Sequence, residues 1–120
     1  MKRLALLVGA IAAVVAIPLL ASAEEQTLKG EPVDITCYLQ GRSGAGHAVC
    51  AASCANKGRP IGLLVEAEGK KQVYLVLGGG GKEAKEYMAA HMGKQVNCTG
   101  TVADKDGLKV ITVTKCEAAS

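Results

Sequence analysis

Cys37 in "DITCYL" and His47, Cys50 and Cys54 in "GHAVCAASC" bring three thiols and one imidazole into a single short stretch. Such a set suits a soft or borderline ion, zinc or copper(I), held tetrahedrally or by fewer ligands. On a helix, positions 47, 50 and 54 fall at i, i+3 and i+7, so their side chains project within about 60° of one another. The rise from 47 to 54 is nevertheless about 10.5 Å, too long for one ion to span comfortably. Cys50 and Cys54, one turn apart, share an ion readily. His47 joins as fourth ligand, or stands as a nearby gate, only if the chain before the helix curls inward, which Gly44 and Gly46 permit. The spacing therefore predicts that Cys50→Ser or Cys54→Ser abolishes binding and that His47→Ala weakens it less.

Other chemistries use the same residues. Cys50, near a helix start, is expected to have a more acidic thiol, which makes it the attacking group of a thiol redox protein with Cys54 or Cys37 resolving it. Alternatively, Cys37 pins the helix by a disulfide and the domain is structural or an adaptor. The spacing excludes covalent haem, because C-x-x-C-H does not occur, and "CAASC" has one residue too many for a C-x-x-C redox motif. No catalytic constellation emerges.

The chain holds five cysteines, so at least one is free, intermolecular or metal-bound. Cys98 and Cys116 are the pair expected to bond, and the turn between their strands decides whether they can. A three-residue loop, Lys105 to Gly107, sets Val96 opposite Cys116 and Cys98 diagonal to it on the same side. A two-residue Asp106-Gly107 turn sends Cys116 to the other face, unless a bulge intervenes.

The elements that must position these groups follow from periodicity. "TLKGEPVDITCYL", Thr27 to Leu39, reads as a strand with Val33, Ile35 and Cys37 at period two. "GRSGAG" is a loop, and "HAVCAASCANKG" a short helix ended by Gly58 ahead of Pro60. Ile61–Val65 and Val73–Leu77 form a hairpin around Glu68 to Lys71. The run Gly78–Gly81 before Lys82 lacks the first glycine and the Ser/Thr of a phosphate loop, having Val76 and Glu83 there, and reads as a flexible link into the next helix. "KEAKEYMAAHM" sets Ala84, Tyr87, Met88 and His91 on one helical stripe, His91 as a packing residue, and stops at Gly93. A last hairpin crosses "DKDG". Five strands with a helix before the closing hairpin, and Gly30 and Gly100 placed for bent strands, predict a β-rich fold: a small, partly open barrel of the oligonucleotide/oligosaccharide-binding (OB) type with one or two short helices. A five-stranded α+β sandwich is the competing arrangement.

Met1, Lys2 and Arg3, an apolar run to Leu20, and Ala21-Ser22-Ala23 form a secretory signal peptide, expected to be cleaved after Ala23 rather than retained as an anchor because Pro18 breaks the run and no basic cluster follows. Removing a 23-residue leader from 120 residues leaves 97, Glu24–Ser120, as one domain in the periplasm or outside the cell. Such a chain buries about two thirds of its unfolded surface, so cross-links or a metal would add useful stability. Lys2 and Arg3 account for two of the net +3 charges, so the mature chain carries +1 and is steered toward no charged partner. With no Trp or Phe and only Tyr38, Tyr74 and Tyr87, it has little aromatic surface for stacking bases, which argues against nucleic acid. The expected partners are a metal ion and another exported or membrane protein, with no membrane insertion after cleavage.

"GEPVDITCYL", "GHAVCAASCANKGRPIGLLVE", "VYLVL" and "GKQVNCTGTV" together resemble a group of small exported bacterial proteins with the pattern D-x-x-C-Y, H-x-x-C-A-x-x-C, G-x-P-x-G-L-L and G-K-x-V-x-x-x-G. The resemblance spans nearly the whole mature chain, matches it at Cys37, Tyr38, His47, Cys50, Cys54, Pro60 and Gly62, and implies an OB-like barrel without implying an activity. Cys98 and Cys116 fall where that pattern has ordinary strand residues.

Overall fold

The computed structural model describes residues 24–120, and the expected leader lies outside them. Five strands close into a barrel in the order β1-β2-β3-β5-β4: β1 (Glu24–Asp34), β2 (Ile61–Ala67), β3 (Lys70–Gly78), β4 (Val96–Lys105) and β5 (Leu108–Ala118). The fold is thus the small β-rich barrel expected, with its seam closed rather than partly open. β1 closes it by changing partner along its length. Glu24–Gly30 pair with β4, and Glu31–Asp34 pair with β2. At the switch, a Cβ on Gly30 would stand 2.5 Å from the Leu64 carbonyl oxygen, so only glycine lets the strands cross so closely. β3 and β5 run parallel, Leu75–Gly78 against Val110–Val113, a pairing of distant segments that periodicity does not reveal.

Both hairpins turn on two residues with positive φ, Glu68-Gly69 and Asp106-Gly107, the primed geometry that matches strand twist. The two-residue turn at Asp106-Gly107 sets Lys105 opposite Leu108 and Val102 opposite Ile111, the register that alone would misplace Cys116. Between Thr99 and Gly100 the register shifts by one, leaving Thr114 as the extra residue of β5, and the bulge brings Cys98 directly opposite Cys116. Their Cα atoms are 4.2 Å apart and their sulfurs at disulfide distance.

Among the described residues, three short helices decorate the barrel: α1 (Ile35–Leu39) and α2 (Ala48–Asn56) between β1 and β2, and α3 (Ala84–Met88) between β3 and β4. The strand expected over Thr27–Leu39 therefore ends at Asp34. The Asp34 carboxylate accepts the Cys37 backbone N–H at 2.8 Å, and this local bond starts a helix where the β-branched Ile35 and Thr36 favour continued strand. The core fills with Val33, Ile61, Leu63, Val76, Met88, Met92, Val96, Cys98, Ile111 and Val113, and α2 adds Ala51 and Ala55. The glycine run, which begins with the last residue of β3, links to α3 as expected but is held tightly rather than flexible. The Gly79 N–H donates to the Val113 carbonyl at 2.8 Å, and the Tyr87 hydroxyl donates to the Gly79 carbonyl at 2.8 Å. His91 is partly buried in the short 3-10 turn that follows α3.

Candidate metal centre

The segment between β1 and β2 builds the site. Asp34, the last residue of β1, spends one carboxylate oxygen on capping α1; the other, Oδ2, is buried with no hydrogen-bond partner. Cys37, in the first turn of α1, is 7% exposed. Cys54 comes from the last turn of α2, whose inner face is taken by Ala51 and Ala55, so that Cys54 sits at the boundary between core and solvent. One ligand atom from each of Asp34, Cys37 and Cys54 lies within 4.8 Å of the other two.

The end of α2 aims a fourth group at this cluster. Gly58 has φ 81, the Gly58 N–H donates to the Ala55 carbonyl at 2.9 Å, and the Arg59 N–H donates to the Cys54 carbonyl at 3.2 Å, which is a Schellman motif. The chain is thereby folded back. The Arg59 Nε reaches 3.8 Å from Asp34 Oδ2, and its Nη1 donates to Cys54 Sγ at 3.7 Å. Burial, above all, pushes the Cys37 thiol above its ordinary value; hydrogen bonding with Asp34 and the charges of Asp34, Cys54 and Cys50 push in the same direction. A bound cation would reverse those charge effects and favour the thiolate.

Of the four residues marked by spacing, the fold brings Cys37 and Cys54 together and leaves two outside the grouping. Cys50 is exposed, because α2 turns its alanine stripe to the core and carries position 50 outward. The thiols that the fold groups are thus Cys37 and Cys54, across two helices, while Cys50 stands one turn before Cys54 and outside the grouping. His47 stands at the N-cap of α2 with Nε2 buried and unpartnered, on a crevice that Asp34, Arg42 and Gly44 also line. Asp34 and Arg59 were missed, and each had a sequence signal. An aspartate three residues before a cysteine is an N-cap pattern that binds the two together, and glycine at the C′ position of a helix predicts that the next residue returns over the last turn.

Zinc bonds to thiolate and carboxylate run about 2.0–2.3 Å, so tetrahedral ligand atoms stand about 3.3–3.8 Å apart. Lying within 4.8 Å of one another, the Asp34, Cys37 and Cys54 donors would contract by at most about 1.5 Å to meet that geometry. The cluster could therefore hold a metal ion. No protein-family model matches the chain, and neither does any curated protein or solved structure. No helix among the described residues is long and apolar enough to cross a membrane.

Proposed function

We propose that this chain is an exported metal-binding domain that holds zinc through Asp34, Cys37 and Cys54. The observation that carries the reading is the buried Oδ2 of Asp34, which accepts no hydrogen bond and has only the 3.8 Å ion pair with Arg59, beside two thiols. Burying a carboxylate oxygen without a hydrogen bond is costly, and an ion coordinated directly there would satisfy it more fully than the guanidinium 3.8 Å away. A carboxylate in the set favours zinc over copper(I), which prefers wholly soft donors. Export rests on the leader-like residues 1–23 and on the disulfide-distance pair Cys98 and Cys116, which suits an oxidising compartment. Metal analysis of protein purified without reductant or chelator tests the proposal: about one zinc per chain supports it, and metal-free protein that takes up none on titration overturns it.

A second reading is favoured by Arg59, whose Nη1 donates to Cys54 Sγ and places a cation beside that thiol. In this reading Cys37 and Cys54 pass two electrons to an external disulfide, which leaves as two thiols, and join as a disulfide themselves. The attacking thiol is then Cys54, the one beside a cation, and not Cys50. The same sample separates the readings by thiol count, because zinc binding keeps Cys37 and Cys54 reduced.

A further inference from the structure

A site that retains zinc for structure is normally closed by four protein ligands. The grouping of Asp34, Cys37 and Cys54 supplies three. It also contains a competitor. Arg59 holds its guanidinium 3.8 Å from Asp34 Oδ2 and 3.7 Å from Cys54 Sγ, so two of the three donors already face a cation that cannot be coordinated alongside them. Its backbone is fixed by the bond to the Cys54 carbonyl, while its side chain is 43% exposed and so borders open solvent. Zinc and guanidinium therefore exclude one another, and Arg59 restores the charge balance of the buried Asp34 when the ion departs.

The outward path has its own ligand. Cys50 precedes Cys54 by one turn on the same face of α2, where side chains four apart lie about 5–6 Å apart at Cβ. Cys37 is buried, Cys54 intermediate and Cys50 exposed, so the three thiols form a graded series from core to solvent with Cys54 common to both ends. Cys50 has no place in the buried set, yet it can share an ion with Cys54 once Cys37 lets go.

Resting on the zinc reading above, we infer that the site hands zinc over rather than keeping it: the ion passes between an inner set, Asp34, Cys37 and Cys54, and an outer pair, Cys50 and Cys54, with Arg59 closing on Asp34 and Cys54 as the ion moves out. The step is ligand exchange without redox change. The zinc bond to Cys37 breaks as the bond to Cys50 forms, the Cys37 thiolate takes a proton from water, and the Cys50 thiol gives one up. The partner this suits presents an accessible thiolate or imidazole that completes the outer coordination.

Zinc-loaded full-length protein, wild type and variant, is mixed in stopped flow with a chromophoric zinc chelator, and equilibrium affinity is measured in parallel. Cys50→Ser is expected to keep one zinc with little change in affinity while transferring it at least about tenfold more slowly. Arg59→Gln, which removes the competing cation, is expected to bind zinc about tenfold more tightly and release it more slowly. An unchanged transfer rate in Cys50→Ser overturns the hand-over while leaving zinc binding intact. A large loss of equilibrium affinity in Cys50→Ser also overturns it, because Cys50 would then belong to the inner set. Wild-type protein that takes up no zinc overturns both this inference and the reading beneath it.

Discussion

Asp34 is tied to Cys37 twice: its Oδ1 accepts the Cys37 backbone N–H at 2.8 Å, and its carboxylate also stands within 4.8 Å of the cysteine's sulfur. One side chain thus starts the helix that carries a thiol and supplies the charge beside that thiol. The two roles separate by substitution. Asp34→Asn keeps a capping oxygen, so its stability should fall little, while zinc affinity should drop by more than the roughly 10–100-fold that losing a partner of a metal ligand costs. Asp34→Ala should lose the metal and a further ~1 kcal/mol of stability through the cap. Zinc titration and thermal melts of the metal-free variants check both. Equal affinity in Asp34→Asn and wild type would remove Asp34 from the ligand set.

The three unpaired cysteines should react with an alkylating reagent in a fixed order. Cys50 is exposed and should modify first; Cys54, half-shielded but beside Arg59, should follow; Cys37, buried and with its thiol pushed above the ordinary range, should be slowest. Timed mass spectrometry of the metal-free protein reads the order. Added zinc should protect Cys54 and Cys37 and leave Cys50 reactive.

Cys98 and Cys116 close a loop with a separation of 18 residues, for which the loop-entropy account gives about 3 kcal/mol. Replacing both with alanine should lower Tm by roughly 10–20 °C in a domain of this size, with zinc stoichiometry unchanged because the pair lies outside the Asp34 cluster. Peptide mapping that finds Cys98 bonded to Cys37 instead would contradict the division of the cysteines.

The β4–β5 turn has its own pH signature. The Lys109 ammonium, and next the Gly107 N–H at 2.9 Å, hold the Asp104 carboxyl below its usual range. A depressed carboxylate stabilises the fold above its unfolded value, near pH 4, and that contribution disappears as pH falls through the lower folded value. The stability gap between wild type and Asp104→Asn should therefore be small and constant near neutrality, because the pair is solvent-exposed, and should close on acidification. Denaturant melts at stepped pH measure it.

The strand–helix order, both hairpins and the barrel were legible because each rests on a local signal: alternation in Val73–Leu77, a glycine stop at Gly58, Asp-Gly at 106–107. The direct facing of Cys98 and Cys116 was legible only as a condition. The turn length argued against it, and the bulge at Thr114, which reverses the outcome, depends on contact between Gly100 and Thr112 that no periodicity records. At the site, helical spacing picked Cys50 as Cys54's partner since positions 50 and 54 do share a face. Which face turns inward was decided by Ala51 and Ala55 packing on the barrel, and the thiol grouped with Cys54 is Cys37, from a helix read as strand. The closed seam and the parallel β3–β5 ladder are products of long-range pairing and left no local trace.

Zinc titration of Cys37→Ser, Cys50→Ser and Cys54→Ser, monitored by metal analysis and by competition with a chelator of known affinity, tests the central claim most directly. The geometry predicts one zinc per chain in Cys50→Ser and none retained in Cys37→Ser or Cys54→Ser. Undiminished binding in Cys37→Ser, or loss in Cys50→Ser as complete as in Cys54→Ser, would contradict a centre built from Asp34, Cys37 and Cys54.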